Sequence, residues 1–361
     1  MKTSTGITTS HAGGRQEEAP GWREGELENC YACPACGGQA VQSLHAGVSD
    51  RTFRSAPGTW TIWRCEECGT GYLNPRPTAA AITRAYESYY THSDTPEWWM
   101  REQGTRFRRL AMRLVNGRMN ARLGYDRQPA LRAGAAVLPL LVRRDRELLG
   151  HLRYLHARPG GRVLDIGCGD GAFLALLREL GWTTTVGIDP DPKAVRRAEA
   201  ARLDVRLGTW QEVSLEAASF DAITLNHSIE HVHDPIGLLK ACRQWLAPGG
   251  ELIIYTPNLD SNGHRLFGRD WFHLDPPRHL VIFTPSSLRR ALEETGFRQV
   301  TQLPPRLRGA CVPESSALRS GGDPLRPPPL TPQMRFAGVL ANLRTLINPD
   351  RAEEVALRAT L

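Results

Sequence analysis

The chain lacks any run approaching the ~20 apolar residues that a membrane-spanning helix requires, so no such span is expected. Its opening, MKTSTGITTSHAGG, has no apolar h-region, and a secretory leader is not expected either. A disulfide framework is also missing. Of eight cysteines in 361 residues, four fall in two paired knuckles, which suits metal ligation in a reducing compartment. A cytoplasmic location is the expectation. Acidic residues are in deficit, with 38 Asp and Glu against 45 Lys and Arg, for a net charge of +7. That excess suits nucleic acid, a membrane surface or an anionic substrate, and equally suits wet helix faces. With 41% hydrophobic and 23% charged residues, the chain is globular and can build one large core plus an appended module.

A further absence is informative. The stretch Val163–Gly171, VLDIGCGDG, reads as a buried strand, an acid and a glycine turn opening a helix. Where a dinucleotide fingerprint wants its last glycine, this chain has Ala172. Asp165 precedes Gly167, Gly169 and Gly171. A carboxylate there repels a pyrophosphate but suits the ammonium of S-adenosylmethionine (SAM). One strand–helix–strand later, VGIDP places Asp189 to accept two ribose hydroxyls. Cys168, inside the turn, is a small residue that lets a ligand approach and has no nucleophile's context.

Together with LNHSIEHVHDP and APGGELIIYTPN, these motifs resemble those of the class I SAM-dependent methyltransferases. They are most similar to the branch that includes the ubiquinone-biosynthesis O-methyltransferases, some members of which carry an N-terminal zinc ribbon. The resemblance implies an α/β fold, a Rossmann-like seven-stranded methyltransferase sheet. It also implies methyl transfer to a small-molecule, lipid-linked or sugar-linked acceptor, most often at oxygen. An RNA methyltransferase using ribbon and basic helices is the first alternative, although no asparagine-proline-proline-tyrosine motif follows the fourth strand. A non-catalytic protein that keeps the fold is the second.

Along the chain, residues 1–28 offer little to bury and are expected to be disordered. Cys33-x2-Cys36 and Cys65-x2-Cys68 follow, each pair trailed by glycine. Four thiolates in two tight turns suit a closed, structural Zn2+ site. Cys30 also stands at ligand spacing from Cys33, but CPACG mirrors CEECG, which favours the first set. The ribbon is assigned 29–77, ending at two prolines that forbid further pairing. A helical cap or linker spans 78–158. There Phe107, Leu110, Ala111, Leu114 and Val115 share one helix face, expected to cover a core, among Arg106, Arg108, Arg109 and Arg113. The same basic amphipathic pattern leaves peripheral membrane contact open.

The catalytic domain is expected over 159–361, as alternating strands and helices forming a parallel sheet. Trp210 stands where relatives carry an adenine-binding acid; it either lies against adenine or is core. Asn226 and His227 lie at the carboxyl end of the fourth strand, where such sheets bind ligands. His227, Glu230 and His231 fall at i, i+3 and i+4, on one face if the segment coils. In the resembled quinone enzymes a glutamate-x-x-glutamate-histidine stretch here is associated with a divalent metal. His227 replaces the first glutamate and disfavours an oxygen-ligand Mg2+ site. The cluster positions substrate or supplies a base, with His231 the first candidate and His279 the reserve. Residues 258–278 read as a lid or substrate wall. EEVALRAT reads as a last antiparallel strand, making 304–349 an insertion in the final hairpin.

Overall fold

The computed structural model describes residues 21–86 and 105–361. Its strands are β1 (Leu27–Glu28), β2 (Val41–Val48), β3 (Trp60–Cys65), β4 (Gly71–Leu73), β5 (Arg76–Pro77), β6 (Arg162–Ile166), β7 (Thr184–Asp189), β8 (Asp204–Leu207), β9 (Phe220–Asn226), β10 (Leu246–Pro257), β11 (Val281–Ile282), β12 (Arg298–Gln302) and β13 (Glu354–Thr360). The helices are α1 (Arg106–Leu123), α2 (Gly134–Val137), α3 (Val142–His151), α4 (Ala172–Glu179), α5 (Pro192–Ala200), α6 (Pro235–Trp245), α7 (Asn262–Phe267), α8 (Pro285–Glu294), α9 (Val312–Arg319) and α10 (Pro332–Ile347).

A seven-stranded sheet runs β12-β13-β10-β9-β6-β7-β8. The pairs from β10 through β8 are parallel, and β13 is antiparallel to both neighbours. The fold is therefore the expected Rossmann-like methyltransferase architecture. Alternate residues of β6 serve opposite faces. Val163 packs under Leu149, Leu152 and Leu177 from α3, its C-terminal flank and α4. Leu164 and Ile166 join Leu238 and Leu239 of α6 and Leu288 of α8. A sheet covered on both faces explains why its central strands read as nearly continuous apolar runs. The final hairpin is as expected: the carboxyl end of β12 and the start of β13 both face the sheet's ligand-binding edge, and the insertion is strung between them.

The ribbon sheet has order β11-β4-β3-β2. Its fourth strand comes from beyond β10, with Val281 opposite Tyr72, so ribbon and catalytic sheet share one core containing Trp60, Ile62, Leu73, Leu259 and Phe283. Cys33, Cys36, Cys65 and Cys68 gather their sulfurs within 4.8 Å. The Cys33–Cys68 and Cys36–Cys65 separations are 3.7 and 3.6 Å, close to the ~3.8 Å edge of a tetrahedron built on 2.3 Å Zn–S bonds. Cys30 stands apart, with its sulfur 3.8 Å from the Leu73 carbonyl.

Three expectations need correction and a fourth is narrowed. Residues 21–28 are ordered, because Trp22 is buried edge-on against Trp60 and donates to the Pro57 carbonyl at 3.0 Å; residues 1–20 lie outside the described residues. The prolines after β4 do not end pairing, since Pro77 lies opposite Leu27. Phe107 and Leu110 are 76% and 47% exposed, so the first turns of α1 do not cover the core. The later turns of α1, with α3, lie on a sheet face through Met119, Leu123, Leu148 and Leu152, so this part of the expected cap is a covering layer. For residues 258–278 the burial of Phe267, Trp271 and Leu274 disfavours the lid and leaves the wall alternative.

Arg278 in that segment is completely buried. It donates to both oxygens of Asp275 at 2.9 and 2.6 Å and to both of Asp50 at 2.9 and 2.6 Å. Ser55 Oγ and the Ala85 carbonyl also accept from it. Breaking a buried ion pair from one side leaves the other charge uncompensated. Asp50→Asn should therefore cost roughly 3 kcal/mol in urea denaturation; an unchanged midpoint would show that the clamp carries no stability. Metal analysis of purified protein should find one zinc per chain, lost in Cys65→Ser.

Candidate active site

Strand β6 delivers Asp165, and β7, its parallel neighbour, delivers Asp189, with Asp165 opposite Gly187. Between the two strands the chain turns through Gly167, Gly169 and Gly171, whose φ values are +75°, +58° and +79°. L side chains rarely adopt such angles. A Cβ on Gly167 would also stand 2.7 Å from Ser228 Cβ. Asp189 Oδ2 accepts from the Gly169 N–H at 2.7 Å and Oδ1 from that of Asp191 at 2.9 Å, so it ties the turn to the second strand.

Asp165 sits inside the sheet rather than at its surface. It is fully buried, and its Oδ1 accepts from Arg153 Nη1 and from Thr224 Oγ1. Arg153 arrives from the end of α3 through two left-handed residues, itself at φ +50° and Tyr154 at +53°, and lies 3.7 Å over the Phe173 ring. Asp165 Oδ2, Ser228 Oγ, Tyr154 OH and Tyr255 OH are buried without a hydrogen-bond partner. Buried polar atoms seldom stay unpaired, and Asp165 and Ser228 flank the glycine turn. A glycine cradle beside orphaned acceptors fits a ligand carrying both a cation and hydroxyls. Trp210 is half-buried, packed near Gly237 at the start of α6.

At the end of β9, Asn226 Oδ1 meets Arg306 Nη2 at 3.5 Å. His227 takes φ +54°, and its nitrogens stand 3.1 Å from Glu230 Oε1 and 3.1 Å from Glu354 Oε1. Both nitrogens are thus engaged by carboxylates. Burial alone would lower its pKa, but the two carboxylates outweigh burial and raise it to about 9. Burial works against the charge on Glu230 too, yet His227 holds its carboxyl down at about 2. Glu230 is fully buried and its other oxygen accepts from Thr256 Oγ1 at 2.9 Å.

Only Ile229–His231 coil, as a single 3-10 turn, so His231 leaves the face shared by His227 and Glu230. Its Nδ1 lies 3.0 Å from the Arg278 carbonyl and 3.0 Å from Tyr86 OH. A carbonyl only accepts, which assigns the proton to Nδ1 and the lone pair to Nε2. His279 has the same arrangement, with Nδ1 2.7 Å from the His273 carbonyl, and its ring stands edge-on to His231 at 4.8 Å. Burial, then the neighbouring His279, lowers the His231 pKa to about 4. Glu230, His231 and His279 each offer a ligand atom within 4.8 Å of the others. Because Glu230 already serves His227 and Thr256, the trio reads first as two imidazoles over a satisfied carboxylate.

The sequence reading missed Arg153, Tyr86, Arg278, Glu354 and Arg306. The paired acids 353–354 entering the last strand were the one visible signal; the rest become neighbours only through long-range folding.

A family model described as a methyltransferase domain matches residues 141–302. This segment is a methyltransferase-like domain. The ubiquinone biosynthesis O-methyltransferase of Xanthomonas campestris pv. campestris is 38% identical over 117 residues, covering 30% of this chain and 48% of that protein. The one from Methylocella silvestris is 34% identical over 157 residues, covering 38% and 61%. The chain thus spans about half the length of the Xanthomonas relative. A solved SAM-dependent methyltransferase from Archaeoglobus fulgidus has a TM-score of 0.40 at 21% identity, over 62% of this chain and 94% of that one.

The methyltransferase domain's glycine turn can be tested directly. Gly167→Ala combines a positive φ with the Ser228 clash, so SAM affinity by calorimetry should fall about tenfold to a hundredfold. Unchanged affinity would remove the turn from the donor site.

Proposed function

We propose that the chain transfers a methyl group from SAM to a hydroxyl oxygen of a small, lipid-linked or sugar-linked acceptor. The observation that carries this reading is the pairing of Asp165 and Asp189 on adjacent parallel strands around three left-handed glycines. Bound SAM supplies an electrophilic methyl on a sulfonium. In this reading Asp165 Oδ2 is the acceptor for its ammonium and Asp189 for its ribose hydroxyls, with Trp210 the side chain that would lie along its adenine. The residues 33–68 knuckles hold a structural Zn2+.

Methyl transfer to oxygen is a displacement, so alignment and removal of the hydroxyl proton are the protein's main contributions. Nε2 of His231 accepts that proton, while Tyr86 and the Arg278 carbonyl hold the ring in the required tautomer. His279 presents a second lone pair beside it. Glu230 and the imidazolium of His227 form the fixed floor below. The homologues' printed name, ubiquinone biosynthesis O-methyltransferase, supports oxygen as the acceptor atom.

A base whose pKa is held near 4 stays deprotonated through the neutral range. The rate of wild-type enzyme should therefore be flat between about pH 6 and 8 and fall only as pH approaches about 4 to 5. His231→Gln should lower kcat about a hundredfold or more with SAM affinity intact. An acid limb near 6.5, or activity within a few-fold of wild type at saturating acceptor, would remove His231 from this role.

A further inference from the structure

The helix α10, in the insertion at the sheet's ligand-binding edge, wears its apolar side outward. Phe336, Val339, Leu343, Leu346 and Ile347 are 69%, 56%, 51%, 38% and 85% exposed. At 3.6 residues per turn these five side chains share an arc of about 100°. Arg335 and Arg344 fall on its two flanks, both exposed. The opposite side is anchored: Ala341 and Thr345 are buried, and Asn262 donates towards the Ala341 carbonyl and Thr345 Oγ1. The exposure is thus a property of a firmly seated helix.

Charge selects the occupant. No acidic residue occurs in Pro332–Ile347. Residues 304–349 hold six arginines (306, 308, 319, 326, 335, 344) against Glu314 and Asp323. Six minus two gives a formal +4; Arg306 and Arg319 are answered by Glu354 and Asp270 outside the insertion, which leaves +2 with Arg335 and Arg344 on the helix itself. An apolar stripe between arginines, on a helix too polar to span, is the pattern of a helix that lies in the headgroup region of an anionic bilayer. A second copy of this chain would bring the same arginines together, and like charges facing one another disfavour that contact.

We infer that the exposed face of α10 docks the protein on an anionic lipid surface. The five apolar side chains enter the acyl boundary, and Arg335 and Arg344 meet the headgroups. Since the insertion joins β12 to β13 at the sheet's ligand-binding edge, docking would bring the mouth of the methyltransferase domain close to the bilayer.

The test is sedimentation of the full chain with vesicles of phosphatidylcholine containing about one third phosphatidylglycerol, against phosphatidylcholine alone. Wild-type protein should sediment with the anionic vesicles only, and Phe336→Asp/Ile347→Asp should bind them at least about tenfold more weakly. Circular dichroism and SAM affinity of the variant should match wild type, which separates loss of docking from loss of fold or of donor binding. Equal vesicle binding by variant and wild type would overturn the inference. So would light scattering that shows a dimer which the variant dissociates, with no vesicle binding by either. Binding of total RNA at physiological salt without vesicle binding would overturn it too.

Discussion

A guanidinium buried away from water is tolerable only if all its donors are met and its charge is answered. Arg278 meets that condition with partners from three separate parts of the chain. Asp50 and Ser55 come from the loop between the ribbon strands, Ala85 from the turn that follows the ribbon, and Asp275 from the methyltransferase segment. Two carboxylates face one cation, and the surplus negative charge is met at Asp50 by the N–H groups of Phe53, Ser55 and Ala56. The pull of Arg278 holds the Asp50 carboxyl well below the usual carboxylate range, although burial opposes it. The same residue's carbonyl then fixes His231. Ribbon and active site are therefore mechanically one object. Tyr86, from beyond the ribbon, can reach His231 because the clamp holds Ala85 in place.

A second set of constraints closes the mouth from the other side. Arg306, at the root of the insertion, donates to Glu354 Oε2 at 2.8 Å and lies 5.0 Å over the Tyr255 ring. Glu354 opens the last strand, so the hairpin that carries α10 is pinned at both ends to β9 and β10. Positive φ angles at Arg153, Tyr154 and His227 mark where the chain bends to point charged groups inward. Such conformations persist only where surrounding contacts over-determine them, and here each bend ends in a buried ion pair.

What was legible in the sequence was what is local. Gly167, Gly169, Gly171 and the acids beside them are determined by a turn whose chemistry lies within a few residues, and CPACG and CEECG fix a sulfur tetrahedron in the same way. Helical spacing located α10 but could not say which side is covered: Phe336, Val339 and Leu343 have core periodicity and face out. Phe107 and Leu110 misled for the same reason. Trp22 was overlooked because one tryptophan in a polar stretch carries no period, yet it is an anchor of the ribbon. The Arg278–Asp50 pair spans 228 residues, a distance at which no motif or periodicity operates. Where each of two buried charges finds its partner is a property of the whole fold.

The exchange of glutamate for His227 shows how that long-range balance alters local chemistry. A carboxylate at 227 would face Glu230 and Glu354 as a third negative charge in a closed space, and an external cation would be the simplest remedy. An imidazole there, 3.1 Å from each acid, takes up a proton and becomes that cation. The raised pKa of His227 and the depressed one of Glu230 are two sides of this exchange. Fixing the charge internally leaves His231 and His279 next to a carboxylate that is already neutralised. The low basicity of His231 then follows from burial first and from the neighbouring His279 second. The floor beneath His231 and His279 is an ion pair the chain makes for itself.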